Sequence, residues 1–409
     1  MIRNIQWLAL VFWLAFATGL FAQQVPDSEF QPEIFNPAFS RGTGPVVSID
    51  EAHHNFHTRD GRYAAFSRFL EADGYQVRRN LKTFENGIDE SVDILVVANA
   101  LHTSNSENWD LPNPSAFTER EIDSLEAWVR SGGSLFLIAD HMPFPGAAGA
   151  LADRFGIQMA NGFAFVTDPG GEPVRKPIVF RKALGGLEVH PITEGGTLHS
   201  EVSQVISFTG QAFRVTSNRY CWNRLLSLPA NSISLEPEVA WEFEAGTSRR
   251  DVSGWLQGAC AQVGSGRIVI FGEAAMFTSQ RAGREGRLTG MAAEGATGNQ
   301  QLLSNIARWL SGNLGSSDLV DSDWGFEGTR GANCYAANCS AIWNPVLGCR
   351  ADGCMSLPVI VPCVEAGRGP AFPLAFRNDP CVWWPIERRF SGCRFPVARN
   401  RLRSLIRGR

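Results

Sequence analysis

Short apolar runs recur along most of the chain, and between several of them the apolar positions switch to a spacing of three and four. Residues 45–49 (PVVSI) make the first run, and Tyr63, Phe66, Phe69 and Leu70 follow at helical spacing before Gly74 stops them. Residues 75–79 predict a short half-polar strand. Residues 93–98 (DILVVA) form a continuous apolar run of the kind that is buried on both faces of a parallel sheet. Thr118 and Glu121 make a capping box ahead of Ile122, Leu125 and Val129, the stripe of a helix that ends at Gly132 and Gly133. Residues 134–139 (SLFLIA) are the next buried strand, and 147–155 a helix ending at Gly156.

Strand, helix, strand, strand, helix, strand, helix predicts an α/β fold with a flavodoxin-like, doubly wound, mostly parallel sheet and helices on both faces. The pattern weakens between Gln158 and Ser248, where 177–180 and 202–208 are short strands among Gly- and Pro-containing loops, so this region is expected to be an insertion or an antiparallel extension. Residues 253–262 and 267–271 are apolar runs joined by Gly264-Ser265-Gly266, a hairpin signal. Leu302, Leu303, Ile306, Ala307 and Leu310 then mark a final helix ending at Gly312. The resulting division is an extended lead-in at 24–43, an α/β domain at 44–312, and a linker with a tail at 313–409.

Residues 1–23 carry Arg3, an apolar stretch over 7–21 and a small residue, Ala22, at a cleavage position, which predicts a signal peptide and an exported, periplasmic or extracellular protein. The stretch is short for a bilayer span, so the membrane enters only if that segment stays uncleaved. A net charge of −4 argues against a nucleic-acid partner, which needs a clustered basic surface. Seven of the nine cysteines crowd the tail from Cys334 onward, where a disulfide-stapled appendage, a zinc-binding one and a shifted reading frame are all open readings.

In an open parallel sheet, ligands collect outside the carboxyl ends of the strands. Asp50, Glu51, His53, Asn55 and His57 follow the first strand, Asn99 and His102 the second buried one, Asp140 and His141 the third, and Glu273 the run ending at Phe271. Singly, each has a structural reading: an aspartate capping a turn, a satisfied loop histidine, a buried glutamate paired with an arginine. Jointly they predict a polar pocket. His53, His57, His141, Asp140 and Glu273 are its candidate catalytic residues, and Asp50, Glu51, Asn55, Asn99 and His102 its candidate binding residues. Imidazoles with a carboxylate suit a divalent metal such as zinc, with His53, His57 and His141 as ligands, or metal-free acid–base work. His190 and His199 are given structural roles, as is Cys260 inside its apolar run. No G-x-S-x-G elbow, Walker loop or G-x-G-x-x-G follows a strand, so nucleophilic and nucleotide chemistry lack their usual motifs.

The segments IDEAHHNFHT, FTEREIDSLEAWVRSGGSLFLIADHMPFPGAA, GRIVIFGEAAMFTSQ and NQQLLSNIARWL resemble exported bacterial proteins of the domain-of-unknown-function 4350 group, over about residues 44–311. Their first motif, Asp-Glu-x-His-x-Asn-x-His-Thr, falls on Asp50, Glu51, His53, Asn55, His57 and Thr58 and leaves His54 variable. The resemblance implies a class I glutamine-amidotransferase-like fold. It also implies no glutaminase, because the turn that would carry the nucleophilic cysteine reads Asp140-His141-Met142-Pro143. Two classes of function remain: a metal-assisted or acid–base hydrolase, and a non-catalytic module binding a small molecule, carbohydrate, peptide or protein. Fold alone does not choose between them.

Overall fold

The computed structural model describes residues 24–195, 200–283 and 285–314, with the paired dipeptides Cys349–Arg350 and Gly353–Cys354. The chain divides into two compact units, Met1–Cys334 and Tyr335–Arg409, and that strand pair is all that is described of the second. The predicted signal peptide, His199 and the rest of the cysteine-rich tail lie outside the described residues.

The first unit is built on a nine-stranded sheet. β2 (Val46–Asp50), β3 (Gln76–Asn80), β4 (Ile94–Ala98), β5 (Ser134–Ile138) and β15 (Gly266–Phe271) are mutually parallel in the order β3-β2-β4-β5-β15. Beyond β15 every pairing is antiparallel. β14 (Leu256–Val263) returns against β15 through the predicted hairpin, β11 (Trp222–Ser227) and β10 (Phe213–Val215) pair with β14, and β6 (Ile157–Met159) closes the far edge. Smaller antiparallel sheets join β1 (Val25–Pro26) to β16 (Ser279–Ala282) and β17 (Arg287–Gly290), β7 (Phe163–Val166) to β12 (Ser232–Glu236) and β13 (Ser248–Asp251), and β8 (Ile178–Arg181) to β9 (Gln204–Ser207).

Side chains alternate across β4 and β5, and the two core clusters follow that alternation. Ile94, Val96, Phe136 and Ile138 pack on one face with Phe66 and Phe69 of α1 (Ala64–Ala72) and Leu302 and Ile306 of α5 (Thr297–Leu310). Leu95, Val97, Leu135 and Leu137 pack on the other with Ile122 and Val129 of α2 (Glu119–Ser131) and Leu151 of α3 (Phe144–Arg154). A one-turn α4 (Pro191–Glu194) completes the helices. The capping box of α2 forms as predicted, and Gly132 ends that helix at φ 130°, a conformation side chains rarely adopt.

The expectation of a flavodoxin-like, mostly parallel, doubly wound sheet is overturned. Strand content exceeds helix content, four of the nine central strands are attached antiparallel, and three further sheets are wholly antiparallel. The physical reason lies in the connections. Among the described residues between Met159 and Val263 the strands follow one another with no helix beyond single turns, and a parallel neighbour needs a crossover of a dozen or more residues. The lead-in at 24–43 is tied to the first unit: its β1 pairs with β16, and the buried Asp27 accepts hydrogen bonds from Ser279 Oγ at 3.2 Å and Arg281 Nε at 3.0 Å.

Candidate functional site

The loops after β2, β4, β5 and β15 bring the predicted residues to one edge, where they separate into two groups. The first centres on His53. Its Nδ1 lies 2.8 Å from Asp50 Oδ2 and its Nε2 2.9 Å from Glu121 Oε1, so both ring nitrogens are bonded to carboxylates. The ring is buried between Phe84 and Phe117, each with its centroid 4.7 Å away. Burial works to lower the pKa of His53, but the bonds and charges of Asp50 and Glu121 outweigh it and raise the value above 6.5. Glu121 shows the reciprocal effect: burial works to raise its carboxyl, and the bonds from His53 and from the amides of Thr118 and Phe84 hold it below its usual range. Asn55 serves this loop from within, its Oδ1 accepting the amide of His53 at 3.1 Å.

The second group begins at Asn99, which sits at φ 51°, a left-handed conformation that asparagine tolerates. Its Oδ1 accepts the backbone N–H of Asp140 at 2.8 Å, which orients the amide and turns its NH2 toward His57 Nδ1, 3.1 Å away. His57 Nδ1 is therefore an acceptor and its proton sits on Nε2. Burial, followed by the charges of Arg62 and His141, pushes the pKa of His57 well below 6.5, so the ring is neutral. His141 has the opposite tautomer, because its Nδ1 donates to the carbonyl of Met142 at 2.7 Å and leaves Nε2 as an acceptor. Burial lowers the pKa of His141 too, against the pull of Asp140. Among the described residues neither Nε2 has a protein partner.

Two carboxyls lie behind these rings. Asp140 Oδ1 accepts its neighbour's amide, that of His141, at 2.7 Å, and Oδ2 accepts the amide of Ala274 at 3.3 Å. Glu273 receives the amides of Ala275 at 2.9 Å and Met276 at 2.8 Å, together with that of Phe208. Burial raises both carboxyl pKa values, and Asp140 pushes that of Glu273 well above the usual range, so the pair resists carrying two charges. Tyr63, buried against His57 with ring centroids 4.7 Å apart, is raised by burial and by the same two carboxyls. Close packing holds the floor: a Cβ on Gly210 would lie 2.6 Å from Gly272 O and 2.9 Å from Glu273 Cγ.

Aromatic side chains roof the histidine pair. His141 stacks on Phe163 with centroids 4.5 Å apart and meets Trp241 edge-on at 4.6 Å, while Trp109 stands 6.1 Å from it and 5.1 Å from Phe56. The loops carrying the two tryptophans are tied together by Ala240 N to Trp109 O at 3.1 Å and Leu111 N to Glu238 O at 2.8 Å. At the rim, the Arg62 guanidinium lies 4.1 Å from the Phe56 ring centroid.

Of the predicted residues, the structure thus groups His57, Asn99, Asp140, His141 and Glu273. Asp50, His53 and Asn55 form a separate structural knot. Glu51 accepts the amide of Arg59 and pairs with Arg79, and His102 caps the turn Thr103–Asn105 by accepting the amide of Ser104. Neither contributes to the histidine pair. Glu273 accepts backbone amides, Cys260 is a buried free thiol, and His190 caps α4 with its Nδ1. The metal expectation is not supported by the donor set, since His53 has no nitrogen left to give. Among the described residues no group of three or more His, Cys, Asp or Glu side chains is arranged to hold an ion. The sequence reading missed the second bond of Glu121, because the capping box accounted for that residue. It also missed Tyr63, counted in a helical stripe, and the loop tryptophans Trp109 and Trp241, which carry no periodic signal.

No family model matches the sequence, and no curated protein does. Similar solved structures include the mmIFT52 N-terminal domain, 12% identical, covering 65% of this chain and 97% of that one at a TM-score of 0.44. A ThuA-like protein from Bacteroides uniformis is 13% identical and covers 68% of this chain and 94% of its own at a TM-score of 0.36. A beta-galactosidase from Bacillus circulans sp. alkalophilus is 7% identical, covering 66% of this chain and 30% of its own at 0.32. At TM-scores below 0.5 these likenesses carry no argument about function.

Proposed function

We propose that the strand-end site binds a small hydroxyl-bearing ligand, a carbohydrate in class, and holds it without hydrolysing it. One observation carries this reading: His57 Nε2–H is a donor and His141 Nε2 an acceptor, on neighbouring neutral rings, and neither has a protein partner among the described residues. Hydroxyl groups, which both accept and donate, suit such a donor and acceptor together. The aromatic walls of Trp109 and Trp241 suit the apolar face of a sugar ring. Hydrolysis would ask a carboxyl to work on water or substrate, and both oxygens of Asp140 and of Glu273 already accept backbone amides.

A second reading rests on the same ring. His141, with Nδ1–H fixed by Met142 O, has the orientation of a general base toward a bound water. Either way, the reading takes the chain as exported through residues 1–23 and related to the 4350 group. Its partner is a small molecule and not nucleic acid, in keeping with the net charge of −4. No helix among the described residues is long and apolar enough to cross a membrane.

The test is to titrate histidine-labelled protein with neutral mono- and disaccharides while recording ring-nitrogen resonances and the fate of the sugar. The expected result is a shift of His57 and His141 with the sugar recovered intact. His57→Phe or His141→Phe should weaken binding about tenfold, or ~1.4 kcal/mol. Silence from both rings with every hydroxylated ligand would overturn the proposal. Cleavage by the natural protein that His141→Phe abolishes would replace it with the catalytic reading.

A further inference from the structure

Across Trp241 from the histidine pair lies a cleft of about 160 Å³, far more than the ~10–15 Å³ that one water needs. Its aromatic walls come from Phe165, Phe208, Trp241 and Phe243, and Arg175 and Lys176 stand at its mouth. No acidic residue lines it. Among the described residues, neither cation is bonded to a carboxylate. The pair is held in place nonetheless. Val174 N donates to Val166 O at 2.8 Å at the end of β7, Lys176 N donates to Val174 O at 2.9 Å, and the Arg175 guanidinium lies 5.1 Å from the Phe243 ring centroid. The hydroxyl of Thr209, which also lines the cleft, has no protein partner among the described residues. Trp241 itself is 47% exposed, which leaves a large apolar ring open to solvent at the cleft.

We propose that this cleft is a second binding site, for an anionic sugar ring such as a uronate. The ring's apolar face lies against Trp241 and Phe243, and its carboxylate is met by Arg175 and Lys176. A guanidinium offers two parallel N–H donors to a carboxylate, and a charge-assisted bond is about twice as strong as a neutral one. Aromatic planes with unpaired cations and no acid select against both neutral and cationic rings. The cleft shares Trp241 with the histidine pair but none of its hydrogen-bonding groups, so it stands whether or not that pair binds a hydroxyl.

Calorimetric titration of the full chain with D-glucuronate, D-glucose and inorganic sulfate tests it, at low and at high sodium chloride. Glucuronate should bind about tenfold more tightly than glucose at low salt, with the preference lost at high salt because exposed charges are screened. The double variant Arg175→Ser/Lys176→Ser should lose that preference with an unchanged unfolding midpoint, and Trp241→Ala should weaken glucuronate in parallel. His141→Phe, which keeps a ring against Phe163, should leave glucuronate affinity within about twofold. Equal binding of glucose and glucuronate, no heat from glucuronate, or sulfate competing as strongly as the uronate would each overturn the proposal. So would a preference that survives the double variant, or one that disappears in His141→Phe alone, which would assign the ligand to the histidine pair.

Discussion

His53 and the His57–His141 pair arise from the same sequence signal, histidine directly after a buried strand, and they have opposite fates. Both nitrogens of His53 are taken by carboxylates and its ring is sealed between two phenylalanines, so it is held as a cation and has nothing left to offer a ligand. His57 and His141 each spend one nitrogen on an amide or carbonyl, are held neutral by burial, and keep the other nitrogen open. Carboxylate neighbours therefore do not by themselves mark a working histidine. What separates a histidine held for structure from a candidate binding one here is how many ring nitrogens the protein has already used.

The sharpest way to break this contrast is Asp50→Ala. It leaves a buried imidazolium with one partner gone, and removing one member of a buried pair typically costs about 3–5 kcal/mol. Chemical denaturation should show a loss of that size, and a loss below ~1 kcal/mol would mean that the knot is not structural. Gly210→Ala should cost about 1–3 kcal/mol in the same assay, because its Cβ would meet Gly272 O at 2.6 Å under the carboxyl floor. His57→Phe and His141→Phe should likewise cost about 1–3 kcal/mol, because each leaves Asn99 Nδ2 or Met142 O without its ring partner, while weakening sugar binding about tenfold.

The pH dependence should split the same way. The raised pKa of His53 gives stability that is fully present below pH 6.5 and is lost as pH rises through the folded value, above 6.5. The lowered values of His57 and His141 act in reverse, since their contribution is whole above pH 6.5 and falls away as pH drops below it. Ring-resonance titration should find His53 still protonated above pH 6.5 and the other two still neutral below it. The finest distinction involves no change in stability: nitrogen spectra should show His57 protonated on Nε2 and His141 on Nδ1. The same tautomer on both rings would remove the donor–acceptor pair.

The parallel half of the sheet was legible because β4, β5 and β15 are continuous apolar runs and α2 between β4 and β5 has readable ends at Thr118, Glu121 and Gly132. The antiparallel half was not. β10, β11 and β12 each pair with a strand far along the chain, and alternation says nothing about which partner a strand chooses. The strand-end rule found His57, Asn99, Asp140, His141 and Glu273, yet it also drew in Glu51 and His102, which serve local turns. Which nitrogen stays open depends on the rotation of Asn99's amide and on the carbonyl of Met142. Those are tertiary facts with no trace in residue spacing.

Glu121 completes the cap of α2 with one carboxyl oxygen and holds His53 with the other. The first turn of that helix and the loop after β2 therefore cannot loosen separately: fraying the helix frees the carboxylate and strands the imidazolium, and opening the loop undoes the clamp on the cap. In hydrogen exchange the amides of Glu121 and His53 should therefore open together, although 68 residues separate them along the chain.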